Sequence, residues 1–312
     1  ERIIHWLGKA LVELGHQVTL IANAQSHIPG AELRVIAADE KNSAAWLKLV
    51  PVSTDIVHLW DTSEPNSEKP FVVTVEGNGR PGQRFHPNTI FVSQKHAANH
   101  GSRHFVHNGL DPNEYSFSEK RGDYALFLAK ARWQVKNLPG AIKVARRARI
   151  ELRVLGSRNW PLNLQRLLPP IRGVRYYGML GGAKKRELLA RARCLIFPVR
   201  WHEPFGIAVI EALVGGAFVA ATPYGSLPEI VTRETGMLSA KTGELVDAVK
   251  NPQRFSLQKC RERVLRGGFT HLDMAKNYLK FYEQVLTRGS LGETAPVTQP
   301  GFVANELLPW ED

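Results

Sequence analysis

Along the chain, short runs of consecutive apolar residues alternate with segments in which apolar positions recur every three to four residues. That is the pattern of parallel strands wrapped by helices. Ile3, Ile4, Leu7, Leu11 and Leu14 share one helical face, so residues 1–14 read as a helix that Gly15-His16 ends. Strands are predicted at 17–22, 55–60, 71–75 and 89–93, which makes residues 1–110 one α/β domain. A polar stretch from Asn108-Gly109 to about Asp123 carries no hydrophobic period, and a second series opens at Tyr124. Its apolar runs at 124–129, 152–155, 174–177, 194–199 and 217–221 are each followed by a turn and then a helix, so 111–270 read as a second doubly wound sheet. Residues 271–288 hold a long amphipathic helix, expected to pack back towards the N-terminal domain. Residues 289–312, a mix of Gly, Pro, Thr and acids, read as a mobile tail. The chain opens directly in a helix, whereas a doubly wound domain starts with a central strand and a glycine-rich turn. The expectation is that the sequence begins inside a longer one or that this domain uses an atypical sheet.

Composition narrows the function classes. With 312 residues and 43% hydrophobic content the chain can bury a sizeable core. It has no apolar run of about 18 residues and no signal-peptide pattern, so a cytoplasmic protein is expected. Cys194 and Cys260 have no metal-binding spacing, and neither a metal nor a disulfide is expected. The net charge of +12 is unevenly spread: residues 1–110 carry ten basic and ten acidic side chains, while 111–288 carry 31 and 15. A positive field on one domain suits a small anionic ligand as well as a polyanion. Nucleic acid would need aromatics interleaved with cations on one surface. Trp133 and Trp160 lie near basic residues, but most other aromatics sit in apolar strands, so nucleic acid is not an expected partner.

The candidate chemistry sits where a buried strand meets a helix. Glu203-Pro204-Phe205-Gly206 follows the apolar run ending at Val199 and precedes the helix through Ile207, Val209, Ile210 and Leu213. Ligands dock outside the carboxyl ends of such strands, and the free N–H groups of the next helix hold phosphates. The N–H groups of Phe205, Gly206 and Ile207 would face a diphosphate. Glu211 lies in a helix apolar on almost every side, where a lone carboxylate is costly, so it needs a polar partner such as a ribose; the alternative is half of a structural ion pair. Glu203 would point beyond the phosphates, or else serve as a first-turn charge favouring the helix dipole. Lys130, Arg132 and Lys136 follow the first strand of the same domain and could neutralise charge on a leaving diphosphate. The loops Gly156-Ser157-Arg158 and Tyr177-Gly178-Met179 follow two other strands and could frame a nucleobase, and Gly225-Ser226 before Pro228-Glu229 offers a tight turn into another helix.

Glu-Pro-Phe-Gly with a second glutamate eight residues on, followed by Gly-Ser-Leu-Pro-Glu-Ile-Val from Gly225, resembles the family 4 retaining glycosyltransferases. The resemblance extends to residues 1–21, 55–58, 91–93, Asn108-Gly109-Leu110-Asp111, Lys136-Asn137 and the helix with Tyr278 and Tyr282. It implies a GT-B fold, two Rossmann-like doubly wound domains facing each other across a cleft. It also implies a nucleotide-sugar donor on the C-terminal domain, an acceptor (a glycan, a lipid-linked or a small molecule) on the N-terminal domain, and metal-independent transfer with retention. By the same resemblance Glu203 contacts the donor sugar, Lys136 the diphosphate and Glu211 the ribose. Three positions depart from the family: Lys130 stands where it has an arginine, with Arg132 two residues on; Glu76 stands where a histidine is common, on the acceptor side; and the first strand with its glycine loop is absent. Competing readings are a nucleotide-sugar epimerase or hydrolase of the same fold, and a non-catalytic nucleotide-sugar-binding relative. Peripheral membrane contact stays open, since many relatives act on lipid-linked acceptors.

Overall fold

Residues 2–13 form α1 (Arg2–Glu13), whose buried side is Ile3, Trp6, Leu7 and Ala10, with Ile4 and Leu11 half-buried beside it. The computed structural model describes residues 1–37, 44–61, 67–156 and 172–312. The chain divides into two compact units, Glu1–Asp111 with Gly268–Phe302, and Pro112–Gly267 with Val303–Asp312.

In the first unit the described residues form two small parallel sheets. One pairs β1 (Thr19–Ala22) with β2 (Glu32–Val35); the other runs β3 (Val57–Trp60), β4 (Phe71–Val75), β5 (Thr89–Phe91) in sequence order. Ser93 caps the short α2 (Gln94–Asn99) by accepting from the His96 N–H. Val73, Val75, Phe85, Phe91 and Ala97 make a buried cluster, with Leu59, Phe71 and Phe105 packed on it.

The helix His271–Arg288 belongs to this unit, starts at a capping box between Thr270 and Asp273 and stops at Gly289 in the left-handed region (φ +79°). It packs on α1 and on β4, where the Tyr278 hydroxyl lies 2.9 Å from Thr74 Oγ1 and the Tyr282 hydroxyl 2.6 Å from His58 Nδ1.

The residues read as a mobile tail are part of both units. Leu291 donates its N–H to Asn88, Phe85 to the Pro296 carbonyl and Thr298 to the Gln83 carbonyl, and Leu291, Thr298 and Phe302 are buried. The composition concealed this because the segment is held by backbone hydrogen bonds and a few scattered buried side chains rather than by an amphipathic face.

In the second unit a six-stranded parallel sheet has the order β11-β10-β9-β6-β7-β8, from β6 (Tyr124–Leu128), β7 (Glu151–Leu155), β8 (Val174–Tyr176), β9 (Cys194–Phe197), β10 (Phe218–Ala221) and β11 (Gly236–Leu238). Every residue of β9 and β10 is buried, as continuous apolar runs in a parallel sheet require. Around it lie α3 (Leu138–Ala148), α4 (Gly182–Arg191), α5 (Ile207–Val214), α6 (Leu227–Ile230), α7 (Thr242–Lys250) and α8 (Leu257–Leu265). By chain order the helix His271–Arg288 is α9. Cys194 and Cys260 are buried and free, and burial pushes both thiols up to about 12, so neither is a ready nucleophile.

Candidate functional site

The chain leaves β6 towards β7 and β8 on one side of the sheet and β9 towards β10 and β11 on the other. The strand order therefore reverses between β6 and β9, which pair at Ala125–Cys194 and Leu126–Leu195. A crevice opens outside the carboxyl ends of strands at such a point. The turn after β6 carries Lys136 and the turn after β9 carries Glu203.

Asn137 brings these two turns together. It adopts a left-handed conformation (φ +55°), its Oδ1 accepts the Gly140 N–H at the start of α3, and its Nδ2 donates to the Pro198 carbonyl at 3.0 Å. The Arg200 N–H adds a bond to the Val135 carbonyl at 2.7 Å. Lys136 Nζ then reaches Glu203 Oε2 at 2.6 Å, and Trp201 Nε1 donates to the same oxygen at 2.7 Å. The ammonium also lies 4.4 Å from the Trp201 ring centroid. Lys136 and Glu203 are 8% and 7% exposed. Charges this deep carry a desolvation cost that their attraction only partly offsets, so the pair is a poor stability device and a good fixed dipole for a ligand.

The turn is also fixed from the β10 side. Ser226 donates its N–H to the Glu203 carbonyl at 2.9 Å and its hydroxyl to the Phe205 carbonyl at 2.5 Å. Gly225 (φ +64°) lies so close that a Cβ there would collide with the backbone N and O of Glu203. Gly206 (φ +92°) turns the chain into α5. The N–H groups of Gly206 and Ile207 make no hydrogen bond within the fold among the described residues, which leaves helix-start donors for an anion.

Among the remaining cations, Lys130 Nζ sits 4.4 Å above the Trp133 ring, and Trp133 meets Trp201 edge-on at 5.9 Å. Lys130 is thus joined through two rings to the partner of Glu203; Lys130 and Arg132 are both exposed. Gly156 (φ +96°) donates its N–H to the Gly178 carbonyl, and the Tyr177 N–H reaches Val154 on β7. Gly156, Tyr177 and Gly178 therefore lie together at the carboxyl ends of β7 and β8. Ser157, Arg158 and Trp160 fall outside the described residues.

For Glu211 the ion-pair alternative is the one the geometry shows. Its carboxylate does not depend on a ligand for partners: Oε1 accepts from the Tyr115 hydroxyl at 2.7 Å and from Lys185 Nζ at 2.7 Å, and Oε2 from the same lysine at 2.8 Å. Both partners escaped the sequence reading because they lie 96 and 26 residues away, with no local pattern that marks them. Trp201 was also missed, although an indole N–H two residues before a buried carboxylate is a signal that could have found it.

In the first unit Glu76 follows β4 and is half-buried, with Oε1 out of reach of solvent. Burial raises its carboxyl to about 7; the Asn108 amide opposes this by donating to Oε2 at 2.8 Å, and the charge of Asp61 adds to it. The Glu76 N–H is bonded to Asp61 Oδ1, and Oε1 has no partner among the described residues. No group of three or more His, Cys, Asp or Glu that could hold a metal ion occurs among the described residues, and no helix among them is long and apolar enough to cross a membrane.

Residues 123–252 match the family model described as "Glycosyl transferases group 1", a span that lies within the second unit. No curated protein sequence matches significantly. Among solved structures, the chain is similar to a glycosyltransferase involved in avilamycin A biosynthesis, at 22% identity and TM-score 0.75 over 91% of this chain and 89% of that one. It is similar to sucrose-phosphate synthase from Thermosynechococcus elongatus, at 15% identity and TM-score 0.68 over 91% and 92%. It is also similar to HepE of Anabaena in complex with UDP-glucose, at 14% identity and TM-score 0.62 over 92% and 96%. The fold is the GT-B one, with two Rossmann-like units.

Proposed function

We propose that the protein is a retaining glycosyltransferase that moves a sugar from a nucleoside-diphosphate donor, held on the second unit, to an acceptor hydroxyl. The observation that carries this reading is the buried Lys136–Glu203 pair at the reversal of strand order, beside the unbonded N–H groups of Gly206 and Ile207. The family match over residues 123–252 and the likeness to a structure holding UDP-glucose support it.

In this reading the N–H groups at the start of α5 take the distal phosphate and Glu203 takes a hydroxyl of the donor sugar. Lys136 meets the negative charge that grows on the departing diphosphate. A fixed cation in a dry site stabilises that charge far more than water would, because it needs no reorganisation as the bond breaks. Lys130 adds to the same field without a metal ion. Glu211, held by Lys185 and Tyr115, offers a rigid carboxylate to ribose hydroxyls, and Gly156, Tyr177 and Gly178 border the base. Glu76 serves the acceptor side.

Calorimetry with UDP, GDP, ADP and TDP, without added metal, tests the reading. One nucleotide is expected to bind the protein and to lose its binding in Glu211→Ala. Absence of binding by all four overturns the donor assignment.

A further inference from the structure

Residues Val303–Asp312 return to the second unit and lie along the carboxyl ends of three of its strands. After β9, Arg200 is bonded twice to Leu308: the Leu308 N–H donates to the Arg200 carbonyl at 2.8 Å, and Arg200 Nε donates to the Leu308 carbonyl at 2.8 Å. After β10, the Tyr224 hydroxyl donates to the Pro309 carbonyl at 2.7 Å. After β11, the Glu311 N–H reaches the Ala240 carbonyl at 2.9 Å, and Thr242 returns its N–H and its hydroxyl to the Glu311 carbonyl at 2.9 and 2.8 Å. Asp312 ends the run on Lys143 of α3 at 2.6 Å.

The contacted positions are the ones that fix Glu203. Arg200 precedes it by three residues and joins the turn of Lys136 through Val135. Tyr224 directly precedes Gly225 and Ser226, which press on and bond to the Glu203 backbone. Most of these bonds use main-chain atoms of the segment, so they specify where its backbone lies rather than which side chains it has. None of the segment's apolar side chains is fully buried: Val303 and Leu307 are exposed, and Leu308 and Trp310 are half-buried. Its bonds therefore act mainly on loop position and little on the core.

We propose that Val303–Asp312 is a positioning strap for the Glu203 turn, acting through Arg200 and Tyr224, so that the carboxylate and Lys136 are held ready for the donor sugar. This rests on the donor reading above for its functional consequence, but not for its structural one. A strap of this kind separates two parts of donor recognition. In the donor reading the nucleotide is gripped at Glu211, Gly156, Tyr177 and Gly178, and among the described residues no hydrogen bond or ion pair of the strap goes to any of these. The sugar is gripped at Glu203, which it controls.

The test uses three proteins: the full chain, the chain ending at Phe302, and Tyr224→Phe in the full chain, which keeps the ring and removes one strap bond. Hydrogen exchange of residues 199–206 and 224–226 is read first and needs no ligand. Exchange at least tenfold faster in the shortened chain, and an intermediate increase in Tyr224→Phe, are expected, with the amides of β6 and β10 unchanged. Addition of a synthetic peptide of residues 303–312 at millimolar concentration should restore the slow exchange. Equal exchange in all three proteins overturns the strap.

Calorimetry then compares UDP with UDP-glucose, GDP with GDP-mannose, ADP with ADP-glucose and TDP with TDP-glucose. The nucleotide Kd should be the same in the three proteins, while the extra affinity brought by the sugar falls at least tenfold in the shortened chain and returns with the peptide. A sugar increment that survives shortening overturns the functional part. If no nucleotide binds the full chain while exchange still quickens on shortening, the donor reading fails and the strap stands.

Discussion

Replacing Glu76 by glutamine tests whether the fold holds a proton on this carboxyl. An unfolded glutamate has its ordinary value of 4.5, and the buried one is raised to about 7. At about 1.4 kcal/mol per pH unit, the two values correspond to about 3 kcal/mol. Between pH 4.5 and 7 the folded state keeps a proton that the unfolded state has released. The stability tied to this group is therefore complete below 4.5, declines as pH rises to about 7, and is level above. Asn108, Asp61, the N-terminal ammonium and Trp60 act on the group, and Glu76 in turn raises the Tyr278 hydroxyl, which burial has already pushed up. Glutamine keeps the shape, does not titrate, and can still accept from the Asn108 amide. Urea unfolding of both proteins from pH 4 to pH 8 should show the variant gaining about 3 kcal/mol on the parent between the two ends. The buried imidazoles of His58, His96 and His100, lowered to about 3, 3 and 4 by burial, remove stability from both proteins below pH 6.5 and cancel in the difference. A difference that stays constant within about 0.5 kcal/mol would show that the carboxyl is ionised in the fold and that the burial argument is wrong.

Three further outcomes follow from the second unit. Lys136→Ala should lower turnover by about 10²–10³-fold and cost about 3–5 kcal/mol of stability by stranding Glu203; an unchanged rate in protein shown folded by circular dichroism would leave the lysine a structural role only. Gly225→Ala should destabilise by at least about 2 kcal/mol, because the Cβ meets the Glu203 backbone at a positive φ, and a melting temperature equal to the parent's would refute the close approach. The excess of 16 positive charges over residues 112–267 should make the donor on-rate fall steeply with salt in stopped-flow measurements; a flat salt profile removes electrostatic steering.

The parts of the fold that the sequence revealed are those whose apolar pattern is continuous. β4, β6, β7, β9 and β10 are buried over most of their length and stand out as hydrophobic runs. β2 and β11 escaped, the first because Glu32 and Val35 are exposed at its ends, the second because it is three residues long and starts at glycine. The Glu203 turn was legible because a glycine, a helix start and a carboxylate fall together at a strand end. What pairs with those carboxylates was less legible. Lys136 was placed on the phosphates and is also bonded to Glu203, and the bonds of Glu211 to Tyr115 and Lys185 join positions that only the folded sheet brings near. The strap was invisible for a related reason, since main-chain hydrogen bonds leave no trace in residue type.

The way the chain is shared between its units sets the order in which they can be completed. The first unit needs Tyr278 and Tyr282 of α9, which are made only after the whole body of the second unit. At ribosomal speeds of about 5–20 residues per second, residues 1–111 wait roughly 10–30 s for that helix. During that interval the side of α1 that carries Trp6, Leu7 and Ala10 lacks its cover. A cut at the 111/112 junction therefore separates α1 from the helix that covers it and leaves a fragment with an open core rather than a domain.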